Sequence, residues 1–249
     1  MNIVPWIWPV ALAPIIGSFL GVVMTRVETP RAVLVGRSRC DSCGHGLAVR
    51  DLIPLLSWLG SHGRCRYCGA SVSVFYPLIE LAALGLALWS ALTFSGPLVW
   101  ESTLLGWVLL ALAVIDTRYF LLPDFLTLPL IPAGLFVAWM QAPSTLPAHI
   151  IGAASGLLFI VGLRFVYRQL RGREGMGLGD AKLLCAAGAW VSWGGLPTTV
   201  LLAALSGLVF ALLKGARGGS LSLADRLPFG TFLCLGTWIV WLYGPLAVG

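Results

Sequence analysis

The chain has 249 residues, 58% hydrophobic and only 10% charged, against about 25% charged in an ordinary soluble domain. Those proportions exclude a soluble globular protein. The net charge of +6 needs no nucleic acid as partner, because basic loops on the cytoplasmic side of a bilayer, facing anionic lipid, account for it.

Charged residues are absent from Pro5 to Thr25, Leu81 to Trp100, Ser102 to Ile115, Phe125 to Leu163, Leu183 to Leu213 and Leu227 to Gly249. A crossing needs about 20 mostly apolar residues, so the fold is expected to be an all-α polytopic membrane protein. The opening MNIVPWIWPV lacks the basic residues of a secretory signal, so the first span is expected to be retained. The window from Phe125 divides at Gln141 to Pro147, a cluster of turn residues with two prolines. The window from Leu183 is interrupted at Gly194 to Pro197. Lys182 precedes it and Lys214 and Arg217 follow it, and basic loops stay cytoplasmic, so this window is expected to cross twice. Eight spans follow, near 5–25, 77–95, 98–116, 122–140, 147–167, 180–194, 197–213 and 229–247. With both termini outside, all 16 Lys and Arg residues fall on the cytoplasmic side. The organisation expected is a first helix (1–25), a cytoplasmic loop (26–76) and a seven-helix core (77–249). Tryptophans 6, 8, 89, 100, 190, 193, 238 and 241 lie near span ends and read as interface belts.

The loop contains Cys40-Asp-Ser-Cys43 and Cys65-Arg-Tyr-Cys68, separated by residues 44–64. Two such knuckles can place four thiolates tetrahedrally around zinc. Gly44 and Gly69 suit a tight turn beneath each second thiolate. Two disulfides or four unrelated thiols are the alternatives, the disulfides being disfavoured in a reducing compartment. Leu52, Ile53, Leu55, Leu56, Trp58 and Leu59 offer at most a small core, so the metal would supply folding energy of about 10 kcal/mol. His45 and His62 read as exposed polar residues beside a shell already complete.

Carboxylates within a bilayer are costly and point to function. Asp116 ends the third span and Asp180 opens the sixth, in GMGLGDAKL, which puts both at the cytoplasmic membrane face. Two acids that meet there would share a proton and could work as an aspartic protease dyad. Gly177 and Gly179 would leave backbone bare for a substrate strand. From the residues alone, capping is an equal alternative for both acids: Asp116 as a helix-end acid beside Arg118, Asp180 as an N-terminal cap. Asp124, after Pro123, reads better as a cap than as a catalytic group, and Lys182 as a residue that tunes local charge or meets lipid headgroups.

The pair IDTRYFLLPDFLT and GMGLGDAKL resembles the signature of the bacterial type IV prepilin peptidases, membrane aspartic proteases of the Gly-x-Gly-Asp class. GSFLGVVMTR at 17–26, IPLLSWLG at 53–60, YPLIE at 76–80 and LPFGTFL at 227–233 extend the resemblance over nearly the whole chain. It departs at Gly21, where the family usually has asparagine, and at Thr231, where it usually has proline; neither departure is expected to touch the aspartates. The resemblance implies Asp116 and Asp180 as catalytic residues, prepilins or pseudopilins as substrates and the bacterial inner membrane as location. It also implies N-methylation of the new terminus with S-adenosylmethionine, for which Glu80, or less well Asp51, is a candidate proton acceptor. The alternative from another class is an ion-coupled transporter using Asp116, Asp124 and Asp180 as a relay, with Gly194 to Pro197 as a broken helix.

Overall fold

The computed structural model describes residues 7–27, 38–172, 177–217 and 227–246. Pro5 and Trp6 of the first expected span, Gly175 and Met176 of the glycine-rich motif, and the last residue of the eighth span lie outside them. The described residues are helical and contain no strand; two isolated antiparallel bridges, Arg39 with Gly46 and Arg64 with Ser71, occur in the loop. The chain forms two compact units, residues 1–111 and 112–249.

In the first unit, α1 (Trp8–Thr25) packs along α3 (Phe75–Thr93). Small residues allow this: a Cβ on Gly17 would lie 2.7 Å from the Glu80 Cα, and Ala13, Ala83 and Ala87 are fully buried, the pattern by which membrane helices approach without a hydrophobic force between them. Trp107, on α4 (Leu98–Tyr119), donates its indole N–H to the Ala83 carbonyl at 3.0 Å. The described residues of the loop between α1 and α3 contain one short α-helix, α2 (Leu56–Gly60), and a single 3-10 turn at Val49–Asp51. The small core expected there does not form. Leu52, Ile53, Leu56 and Leu59 are exposed and Leu55 and Trp58 only half-buried; between residues 38 and 74 just Gly63 and Cys65 are buried. Six apolar residues among the eight from Leu52 to Leu59 cannot all face inward, and Trp58, whose N–H donates to the Val72 carbonyl at 3.2 Å, is half-buried while four of the others are exposed.

The second unit holds the end of α4, α5 (Asp124–Gln141), α6 (Leu146–Arg171), α7 (Leu178–Ala216) and α8 (Phe229–Tyr243). Glycines again mark the contacts. A Cβ on Gly156 of α6 would lie 2.5 Å from the Leu184 carbonyl oxygen of α7, and one on Gly236 of α8 would lie 2.5 Å from that of Thr199. Leu158, Phe165, Leu208 and Val209 point outward and form part of the lipid-facing surface.

Among the described residues, six helical stretches are long and apolar enough to cross a bilayer, and α8, with 15 residues, is shorter. The 39 residues of α7 would run to about 58 Å if straight, roughly twice a hydrocarbon core. They are two helices joined at Ser192 (φ 61°, ψ 177°). The break thus falls before the expected Gly194 to Pro197. The chain turns where α6 brings Gly152 against the Ser192 carbonyl carbon, 2.7 Å from a Cβ built there, and Pro197 is accommodated near the start of the second piece. Two belt tryptophans are also misplaced by the sequence reading. Trp190 and Trp238 are buried; the Trp190 N–H donates to the Leu130 carbonyl at 2.9 Å and its ring meets Trp241 edge-on. An indole that finds a carbonyl partner inside a bundle need not seek the interface.

Candidate active site and metal centre

The two cysteine knuckles repeat one geometry. The Gly44 N–H donates to the Cys40 carbonyl at 2.8 Å and the Gly69 N–H to that of Cys65 at 2.9 Å, with φ of +68° and +73° at the two glycines. The Cys40 and Cys65 N–H groups bond back to His45 and Ala70 at 3.0 and 2.8 Å. The result brings the four sulfurs within 4.8 Å of one another, with Cys40 and Cys68 Sγ 3.8 Å apart. Tetrahedral Zn–S bonds of about 2.3 Å require sulfurs about 3.8 Å apart, so the donor set fits such an ion. All four cysteines are free thiols. The backbone N–H groups of Cys43 and Ser42 hold the Cys40 thiol down to about 6. The Ala70 N–H pulls Cys68 the same way, but desolvation and the thiols of Cys43, Cys65 and Cys40 outweigh it and push Cys68 up to about 12. Four sulfurs this close cannot all ionise alone; a divalent cation would let them. His45 stacks on Tyr67 with ring centroids 3.8 Å apart, outside the sulfur cluster.

Beside the knuckles lies a cavity of about 530 Å³ whose lining includes Ser18, Arg26, Asp51, Trp58, Tyr67 and Glu80. Glu80 is buried, and its Oε2 accepts the Leu55 N–H at 2.7 Å. Leu55 has φ 58° and ψ −52°, close to the strained γ-turn, so a carboxylate on one helix pins an unfavourable backbone turn of the loop. Asp51 is engaged otherwise: Oδ2 accepts from the Ala48 N–H and the Tyr67 hydroxyl, both at 3.1 Å, and Oδ1 lies 3.4 Å from Arg66 Nε.

In the second unit, Asp116 sits one turn before the end of α4 and Asp180 is the third residue of α7. Between α4 and α5 the chain reverses through Phe120 (φ 51°), whose N–H donates to the Asp116 carbonyl at 2.9 Å. Gly177, extended at φ −75° and ψ 149°, is the residue from which α7 starts. Asp116 and Asp180 line one cavity of about 260 Å³, with Asp124, Gly177, Gly179, Lys182 and the Phe120–Leu122 turn. Asp116 is buried. The two glycines differ in use. Nothing but Asp180 and Gly179 comes within 4 Å of a Cβ at Gly177, whereas one at Gly179 would lie 3.0 Å from Leu122 Cβ; Gly179 serves packing.

Two sequence expectations need correction. Asp124 is no cap: it is the first residue of α5, after Pro123, and no side chain caps that terminus. Its two oxygens instead receive Lys182 Nζ at 2.7 and 2.8 Å, which fits the expected use of Lys182 in tuning local charge rather than the lipid-headgroup alternative. A residue 58 positions away supplied a stronger partner than the local backbone. The second correction concerns Thr231, which does touch an aspartate. Its N–H and hydroxyl donate to Asp116 Oδ2 at 2.8 and 3.2 Å. No sequence signal marks that contact beyond its place in LPFGTFL, because it spans 115 residues. Its neighbour Gly230 is equally close: a Cβ there would lie 2.8 Å from Leu122 Cδ1 and 3.0 Å from Asp116 Oδ2. Gly230→Ala is therefore expected to lower turnover about tenfold or more, by displacing Asp116, with little change in expression. Kinetics of the purified variant on a leader-bearing peptide will check it, and unchanged turnover would mean the turn yields freely.

The all-helical membrane fold, the four-cysteine cluster and the cavity shared by two carboxylates define a polytopic membrane protein with a four-cysteine loop that could hold a metal and an acid pair. Residues 11–94 match the Bacterial Peptidase A24 N-terminal domain and residues 103–212 the Type IV leader peptidase family. The chain is 38% identical to the prepilin leader peptidase/N-methyltransferase of Aeromonas salmonicida, over 92% of this chain and 87% of that protein. It is 39% identical to the protein of that name from Burkholderia pseudomallei (91% and 82% covered) and 36% to the one from Dichelobacter nodosus (92% and 88%). No solved structure matches it significantly. The chain belongs to the type IV leader peptidase family, and is thus a multi-pass inner-membrane peptidase.

Proposed function

We propose that this protein cuts the leader from type IV prepilins or pseudopilins at the cytoplasmic membrane face, with Asp116 and Asp180 as its dyad, and then N-methylates the new terminus. The observation that carries the reading is the common cavity: carboxylates from the end of α4 and the start of α7 open onto one space of about 260 Å³. Like charges facing one cavity favour one shared proton. The ionised member would take a proton from water while the oxygen attacks the scissile carbonyl carbon, and the protonated member would give its proton to the carbonyl oxygen. Collapse of the tetrahedral intermediate sends a proton to the leaving amine and restores the pair. The open backbone at Gly177 suits a substrate strand, and the Asp124–Lys182 pair would hold the cavity's rim. Nothing among the described residues favours the transporter reading, and the ion pair takes Asp124 out of the relay it needed.

Counting α7 as two crossings and α8 as one gives eight, with both termini outside and the basic loops inside. A substrate anchored by its own helix would then present its leader junction at the depth of the aspartates, packed against enzyme helices and lipid. The four thiolates would hold zinc in a closed structural shell with no position open for water.

For methyl transfer, the cavity of about 530 Å³ has the chemistry that an adenosyl sulfonium requires: carboxylates at Asp51 and Glu80 for its cationic and hydroxyl groups, and aromatic faces at Trp58 and Tyr67. S-adenosylmethionine, when bound, supplies an electrophilic methyl group. An attacking α-amine must be neutral, against a reference pKa of about 8, and Glu80 is the carboxylate best placed to accept its proton. The test is mass spectrometry of a candidate prepilin incubated with purified protein in detergent, with and without S-adenosylmethionine. Expected are release of the leader in both cases and a product one methyl heavier only with the donor. Intact substrate under all conditions would overturn the reading.

A further inference from the structure

A carboxylate that must hand a proton to water in one step and take it back in another has to keep one orientation, since a rotated oxygen misses the reacting atom. A dyad aspartate near a helix end, with two free side-chain torsions, does not have that orientation by itself. In this chain it is supplied from α8. We propose that Thr231 is a positioning residue of the peptidase: its N–H and hydroxyl together fix the rotation of the Asp116 carboxylate.

Both bonds fall on the same oxygen, Oδ2, at 2.8 Å from the N–H and 3.2 Å from the hydroxyl. Two donors on one oxygen define the carboxylate plane as a single bond cannot. The hydroxyl is itself held. It lies 2.9 Å from the Ala113 carbonyl and 2.9 Å from Thr117 Oγ1, and Thr117 Oγ1 lies 2.7 Å from the same carbonyl; each hydroxyl has one hydrogen, so Thr231 donates to Asp116 in the arrangement where Thr117 turns its hydrogen from Ala113 to Thr231. When Asp116 carries a proton, the same hydroxyl can accept from it and turn its own hydrogen to the Ala113 carbonyl. The anchor therefore survives both protonation states, which a fixed donor alone would not allow. Gly230 makes the approach possible by leaving space beside Asp116 Oδ2.

The inference rests on the dyad reading and is tested so that the two can fail separately. Thr231→Val keeps the shape and the N–H but removes the hydroxyl; Thr231→Ser restores it. Kinetics on a leader-bearing peptide with the purified full chain in detergent are expected to give Thr231→Val a kcat about tenfold lower, the loss of one hydrogen bond to a charged group, with KM within about twofold. Thr231→Ser is expected to recover most of the loss, and the melting temperatures of both variants to match the parent. Should Thr231→Val fold poorly, Thr231→Ala against Thr231→Ser gives the same comparison. A parental kcat in the valine variant, or a serine variant as slow as the valine one, overturns the positioning role. Cleavage that persists in Asp116→Asn would instead overturn the dyad, whatever Thr231 does.

Discussion

Asp116→Asn and Asp180→Asn are each expected to reduce leader cleavage by about a thousandfold or more while leaving the protein in the membrane at normal levels. Asparagine keeps the shape of aspartate and can still accept the Thr231 N–H through its amide oxygen, so the packing around α4 and α8 has no reason to change. What it loses is the ability to exchange a proton with water, and general acid and base catalysis commonly contribute factors of 10² to 10⁴. Asp124→Asn is the internal control. It shares the cavity, but its ion pair with Lys182 is exposed, and such pairs contribute about 1 kcal/mol or less. That variant should cleave within a few-fold of the parent. Turnover of the three purified variants on one substrate decides the matter: appreciable cleavage by either dyad variant removes that residue from the chemistry, and loss in Asp124→Asn as deep as in Asp116→Asn would make the ion pair part of the mechanism.

What can be read from the sequence follows the range of the interaction that fixes each feature. The knuckles are local: Cys-x-x-Cys followed by glycine fixes the turn within a few residues, and the positive φ at Gly44 and Gly69 is what that pattern demands. The all-helical fold follows from apolar windows that need no partner to be recognised. Features settled by distant partners could not be read in this way. Asp124 looks like a cap because Pro123 precedes it, yet Lys182 claims both its oxygens. Gly194 to Pro197 looks like the break in α7, yet the chain turns at Ser192, where the backbone of α6 at Gly152 lies against it. Thr231 reads as a harmless departure because nothing within LPFGTFL reveals that its N–H points at Asp116.

Removing the metal should separate the two reactions. The described loop between residues 38 and 74 buries only Gly63 and Cys65, so apolar burial cannot hold it, and a four-thiolate site contributing on the order of 10 kcal/mol would be its main source of order. Cys40→Ser with Cys43→Ser removes half of the proposed ligands; the parent is expected to contain one zinc ion per chain by elemental analysis, and the variant to contain none and to unfold locally in the loop. Leu55 would then lose the turn that Glu80 pins, and the cavity of about 530 Å³ would lose the wall formed by Trp58 and Tyr67. Methyl transfer should fall below detection. The proposed dyad, in contrast, belongs to the second compact unit, residues 112–249, whose helices pack through glycine contacts that owe nothing to zinc. Cleavage should survive at a reduced rate, and Asp180→Asn should still methylate a pilin supplied already cleaved. Both activities, measured on the same membrane preparation with zinc content determined alongside, give the answer. If the double cysteine variant loses cleavage and methylation in equal measure while its helices remain intact by circular dichroism, the loop contributes directly to the peptidase site and the division of labour between the two units is wrong.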